Sequence, residues 1–187
     1  MFVNARFLTQ RVTGVQRYAI EMSRKLKALK PDLRFLTPRN IAHENLAEEF
    51  GAEIIGKRTG YYWEQVELPA YLKKHHPDSI LVNLGNLAPI RYRNKVVTIH
   101  DVAPIEHPEW YSRRFACTYR FLLPMVARTS ARIVSDSDFS KNRISQLCKV
   151  TRDKIDVVPC ATSKDFAQVA PSDKGMPMEP YILSVAS

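Results

Sequence analysis

Val96-Val97-Thr98-Ile99-His100-Asp101 is the stretch that decides the fold. Four strand-forming residues run straight into an imidazole and a carboxylate. An apolar strand of this kind suits a parallel sheet buried on both faces. The His-Asp pair then falls at the strand's carboxyl end, where open α/β sheets bind their ligands. A turn at Thr13-Gly14-Val15, between a first strand and a first helix, is expected at the same edge. Together the two segments suggest a site for a charged, phosphorylated ligand.

Outward from this stretch, short β-like runs alternate with helical ones, the pattern of βαβ units and a parallel α/β sheet. Strands are expected over 2–8, 33–36, 52–55, 79–83, 95–99, 132–135 and 154–158. Val15, Ala19, Met22, Leu26 and Leu29 recur at helical spacing, the apolar face of a helix that Pro31 ends. Further helices are expected over 43–50, 59–74, 112–130 and 138–147, with Pro69 interrupting the second of these and Pro124 kinking the third. Ser137 or Asp138 caps the last. Residues 167–180 hold Pro171, Gly175, Pro177 and Pro180 without apolar periodicity and read as a linker. Residues 181–187 read as the opening strand of a further unit, leaving 1–166 as the domain.

At 187 residues the chain is long enough for one good core. Hydrophobic residues make up 45% and charged ones 25%, the balance of a soluble globular domain. No stretch approaches the roughly 18 apolar residues of a membrane span. The first residues lack the apolar run of a signal peptide, so a cytoplasmic location is expected. Cys117, Cys148 and Cys160 form no C-x-x-C pair, which supports neither a zinc ribbon nor a thioredoxin-type site; reduced thiols are expected. The net charge of +9 favours anionic partners: nucleotide phosphates, acidic lipid headgroups or nucleic acid.

Each motif has a functional reading beside an ordinary one. Gly14 lets backbone approach a ligand, and the helix N-terminus beyond it attracts phosphate. A lone glycine also makes an ordinary βα turn, and the full G-x-G-x-x-G is absent. Arg17, in the first helical turn, either reaches the same ligand or stays solvated. His100 can donate to a substrate hydroxyl or take up a proton near neutral pH; it can equally cap the strand end. His100, Asp101, Glu106 and His107 match no metal-ligand spacing, so no metal is expected. Arg113, Arg114, Arg120 and Arg128 share a helix with Phe115, Tyr119 and Phe121, just after Trp110 and Tyr111. That mixture suits an anionic membrane surface or an amphipathic helix with snorkelling arginines. No nucleic-acid motif is present, and nucleic acid is not expected as a partner. In Ser135-Asp136-Ser137-Asp138-Phe139-Ser140 the serines can meet a ligand at the sheet edge or simply cap the next helix. No G-x-S-x-G or Walker lysine motif supports a hydrolase or P-loop reading.

Four segments, in order, resemble the family 4 glycosyltransferases. Phe7-Leu8-Thr9-Gln10 followed by Thr13-Gly14-Val15-Gln16-Arg17-Tyr18 is similar to the family's first loop and helix. Val97-Thr98-Ile99-His100-Asp101 with Pro108-Glu109-Trp110-Tyr111 resembles its His-Asp segment. Ile133-Val134-Ser135-Asp136-Ser137-Asp138-Phe139-Ser140-Lys141 resembles the stretch where a strand runs into S-x-F-S, and Lys154-Ile155-Asp156-Val157-Val158-Pro159 the strand that closes the N-terminal domain. Two departures stand out. The family's first loop often has more than one glycine, and Cys160-Ala161 stands where Asn-Gly is common.

The resemblance implies the N-terminal half of a B-type fold, a Rossmann-like parallel sheet with helices on both faces. It implies retaining transfer of a hexose from a nucleotide-sugar donor to a glycan or lipid-linked acceptor, as in surface polysaccharide synthesis, with no cofactor. Gly14 and Arg17 would lie at the donor diphosphate, Ser135 and Ser137 at the cleft, and His100 against the transferred sugar. Asp101 would fix the loop or the imidazole. The donor-binding glutamates of the family belong to a C-terminal domain that this chain does not match, so the chain alone is expected to be incomplete for catalysis. The arginine-aromatic helix would hold the protein peripherally on the inner face of an anionic membrane. The competing readings are a non-catalytic Rossmann-like binding module and an inactive truncated remnant.

Overall fold

The computed structural model describes residues 1–161. Its strands are β1 (Phe2–Asn4), β2 (Arg34–Thr37), β3 (Glu53–Ile54), β4 (Leu81–Asn83), β5 (Lys95–Thr98), β6 (Arg132–Ser135) and β7 (Ile155–Val157). Between them run the helices α1 (Gly14–Leu29), α2 (Glu44–Phe50), α3 (Gly60–Tyr62), α4 (Leu68–His75), α5 (Ala103–Glu106), α6 (Arg113–Thr129) and α7 (Asp138–Cys148). All strand pairs are parallel, in the order β3-β2-β1-β4-β5-β6-β7. This is the Rossmann-like α/β architecture.

Strand residues alternate between two buried faces, which is why adjacent strand residues such as Phe35-Leu36 and Val96-Val97 are both apolar. Val3 and Phe35 turn to one face, where α1 and α2 supply Ala19, Ile20, Ala47 and Phe50. Phe2, Leu36 and Leu81 turn to the other, against Trp63, Leu68 and Leu72. Farther along that second face, Val97, Ile133 and Ile155 meet Leu123, Val126, Ile144 and Cys148 of α6 and α7. Each fully buried leucine or isoleucine here contributes about 2 kcal/mol. The chain winds one way from β1 through β3 and the other way from β4 onward. The winding reverses between the neighbours β1 and β4, so a crevice opens at their carboxyl ends.

Several element boundaries differ from the sequence expectation. The first strand stops at Asn4, and Arg6–Thr9 coil into a 3-10 turn. Phe7 and Leu8 are apolar because they pack against α1 and α2, not because they pair in the sheet. Gly14 is the first residue of α1 and not part of a loop before it. The 59–74 region holds a π turn, Trp63–Glu67, between α3 and α4. Pro69 has no N–H to give to the carbonyl four residues back, and the coil has already widened there: the Leu68 N–H donates to the Trp63 carbonyl. The helix α6 continues through Pro124. The proline-flanked segment 104–108, between the expected strand at 95–99 and the expected helix at 112–130, forms most of α5 and enters a 3-10 turn, Pro108–Trp110. The expected linker over 167–180 and strand over 181–187 lie outside the described residues.

Candidate active site

Every strand delivers its carboxyl end to one rim, so residues far apart in the chain meet there. After β5, the His100 backbone N–H donates to Asn86 Oδ1 at 2.9 Å, tying it to the loop that follows β4. Its ring Nδ1 lies 2.8 Å from Asp136 Oδ2, at the end of β6. A carboxylate only accepts, so Nδ1 carries the proton. In the neutral ring the lone pair then sits on Nε2, which is buried and has no partner among the described residues. The ring of Tyr18, one turn into α1, packs edge-on against His100 at 4.7 Å between centroids. Burial raises the Tyr18 phenol above its ordinary value. The first turn of α1 and the imidazole therefore share the rim.

The crevice at the winding reversal is a cavity of about 320 Å³. Its floor is a buried polar network. The Asn4 amide donates to Glu64 Oε1 at 2.8 Å and to Asn83 Oδ1 at 2.9 Å. Arg6 Nε donates to the same Glu64 oxygen at 3.1 Å. Glu64 comes from the π turn and is only 2% exposed, and its Oε2 has no partner among the described residues. Phe115 and Tyr119 of α6 form a stacked wall, with ring centroids 4.3 Å apart. Burial pushes the Tyr119 phenol well above its ordinary range. Opposite, Gln16 of α1 donates to Gln10 at 3.0 Å, and its Oε1 accepts from the Thr13 backbone N–H at 3.2 Å.

The expected site residues divide. His100 stands at the rim beside the first turn of α1. Gly14 heads that helix, whose first turn holds no acidic residue. Asp101 does not hold the imidazole; its Oδ1 accepts from the Ala103 N–H at 2.9 Å and fixes the loop into α5. Arg17 does not line the crevice: its side chain is 70% exposed and lies 3.9 Å from Glu21 on the solvent side of α1. Ser135 is fully buried, and its Oγ has no partner among the described residues. Ser137 caps α7, accepting from the Ser140 N–H at 3.1 Å. Glu106 pairs with Arg143 of α7, and His107 stacks on Trp110 at 4.0 Å. Among the described residues no group of three His, Cys, Asp or Glu side chains is placed to hold a metal ion. The thiol of Cys148 is buried and pushed up to about 11, which leaves it unreactive.

Residues 12–166 match the model of Glycosyltransferase Family 4. The chain belongs to glycosyltransferase family 4. Among solved structures, this family 4 chain is similar to HepE (Alr3699) of Anabaena, crystallised in complex with UDP and glucose, with a TM-score of 0.55 and 13% sequence identity. The match covers 92% of this chain and 47% of HepE. At that identity the likeness is one of fold, and the family 4 chain spans about half the length of the neighbour. No curated protein matches it in sequence.

The sequence reading missed Asp136, Glu64, Asn4, Arg6 and the Phe115–Tyr119 wall as parts of one site. Asp136 sat in a run that helix capping already explained. Glu64 sat in a helix read only for its apolar positions. A carboxylate directly after a tryptophan on a buried face was the available signal, since such a charge needs a partner.

Proposed function

We propose that the chain is the acceptor-side half of a retaining glycosyltransferase. It would move a hexose from a nucleotide-sugar donor to a glycan or lipid-linked acceptor, in surface polysaccharide synthesis. The observation that carries this reading is the meeting of His100 with the N-terminal part of α1, through Tyr18 at 4.7 Å. The UDP and glucose of the HepE complex support a nucleotide sugar as donor.

In this mechanism the donor lies between this domain and a second one. Negative charge grows on the departing diphosphate as the sugar takes on oxocarbenium character. The first amides of α1, at Gly14 and after, present the positive end of a 16-residue helix to that charge. No acidic side chain in the first turn competes for them. Asp136 fixes the imidazole, so that Nε2 meets a hydroxyl of the transferred sugar and orients it. Asp101 holds the loop that carries His100, and Ser135 and Ser137 shape the β6 end of the rim. The chemistry needs no metal under this reading, because helix amides take the leaving-group charge.

The outer stripe of α6 supports placement at an anionic membrane on the cytoplasmic side. Arg114, Phe121, Met125 and Arg128 follow one another at helical spacing, all exposed. The helix holds no acidic residue. Among the described residues no helix is long and apolar enough to cross a membrane, so contact there would be peripheral.

The deciding experiment is His100→Ala in the full-length protein, read as nucleoside diphosphate release from a panel of nucleotide sugars. Turnover should fall about a hundredfold with the melting temperature unchanged. Undiminished turnover removes His100 from the mechanism. Donor binding without turnover in the parent protein assigns the domain to a binding module instead.

A further inference from the structure

The crevice differs in kind from the rim beside it. Among the described residues its only charged lining side chains are Arg6 and Glu64, and these two pair with each other at 3.1 Å. The cavity therefore offers no spare cation. A phosphate or carboxylate entering it would be desolvated beside Glu64 without a counter-charge, which is unfavourable. The remaining polar lining includes the amides of Gln10, Gln16, Asn83 and Asn86. Gln16 and Asn83 are engaged through both atoms, whereas the Gln10 and Asn86 amino groups make no hydrogen bond among the described residues and can donate. The Phe115–Tyr119 wall supplies flat apolar area. Amides combined with aromatic faces match a ring that carries hydroxyls around its edge and C–H bonds on its faces.

The second observation is Glu64 Oε2, buried at the crevice and without a partner among the described residues. A carboxylate oxygen can only accept, so what completes it must be a donor. A neutral hydroxyl is the donor that adds no charge to a balanced pocket. We propose that the crevice binds an uncharged sugar ring, packed on Phe115 and Tyr119, with one hydroxyl donating to Glu64 Oε2. This rests on the acceptor-side reading above and narrows it: the sugar that receives the transferred hexose is neutral.

The test uses the 187-residue chain with no donor present. Methyl glucoside, methyl galactoside and methyl mannoside are titrated by saturation-transfer NMR and calorimetry, against methyl glucuronide, glucose 1-phosphate and inorganic phosphate. At least one neutral glycoside should bind in the millimolar range, and none of the anions should displace it. Glu64→Gln should weaken binding about tenfold, roughly the loss expected for one charge-assisted hydrogen bond. Tyr119→Ala should abolish it. Because Glu64 is buried, thermal melts accompany both variants, and Tyr119→Ala, on the cavity wall, decides if Glu64→Gln fails to fold. The proposal falls if no neutral glycoside binds, if an anion displaces the glycoside, or if folded variants bind as the parent does. These measurements involve neither donor nor turnover. Glycoside binding in a protein that transfers nothing would sink the enzyme reading, and with it the role of the sugar as acceptor, while leaving the neutral-sugar site itself standing.

Discussion

A Cβ placed on Gly14 meets no atom within 4 Å, so packing inside the chain does not require glycine there. Alanine is also the better helix former, by up to about 1 kcal/mol in a helix interior. Gly14→Ala should therefore leave the urea midpoint equal or higher. It should still slow nucleoside diphosphate release about tenfold, if a diphosphate approaches that backbone. Equal turnover in parent and variant would make Gly14 an ordinary turn residue. Lys95 poses a different problem. It is wholly buried at the opposite end of the sheet, and its Nζ donates to the Tyr92 carbonyl and to Thr129 Oγ1, with no carboxylate partner among the described residues. Burial, with help from Lys154 and Arg93, pushes it down to about 7. The unfolded chain then binds more protons than the folded one between about pH 7 and the ordinary value of 10.5. Stability should accordingly rise with pH through that window, by at most about 1.4 kcal/mol per pH unit, and the destabilisation is fully present below it. Lys95→Met should flatten the curve, as urea midpoints measured from pH 7 to 10 will show. At this scale the sequence was only partly legible. His100 announced itself by ending a strand, whereas its partner Asp136 lies 36 residues away with no local mark. Glu64 is 58 residues from Arg6, and only the folded sheet brings them together.

The helix α6 carries two assignments on two sides. Its inward residues Leu123, Val126 and Ala127 close the core over β5 and β6. Its outward stripe leaves Phe121 65% exposed, and Trp110 just before it is 67% exposed. A basic residue near an anionic bilayer contributes about 1 kcal/mol. Replacing both Arg114 and Arg120 by Gln should thus weaken co-sedimentation with phosphatidylserine vesicles about thirtyfold, with less effect at high salt. Vesicle binding that neither the variant nor salt alters would remove α6 as a membrane contact. Periodicity located every long helix because one face of each is buried. It was less successful at 2–8, where a strand and a packed 3-10 turn present similar apolar runs. It also missed the π turn, whose widening depends on hydrogen bonding and leaves the apolar spacing little changed.

Across the molecule, three apolar clusters lean on a single sheet. Strands β1 and β2 contribute to two of them, from opposite faces. Neither cluster can loosen without exposing the back of the other. Unfolding should therefore be one transition, with emission from buried Trp63 and far-ultraviolet circular dichroism giving the same urea midpoint. Midpoints that separate would show the β4–β7 half opening independently. The alternation of strands and helices made the architecture legible; the strand order was not, since pairing partners leave no trace in local sequence. One coil also constrains the cleft by number. The stretch from Trp63 to Glu67 holds a residue more than a regular turn would. Deleting that surplus would swivel everything upstream of α4 by about 100°. The Trp63 indole would leave the Ile55 carbonyl it now reaches at 2.8 Å, and the Glu64 carboxylate would turn away from Asn4. Gaining or losing a single codon in this stretch would dismantle the cleft floor while leaving every other side chain in it unaltered.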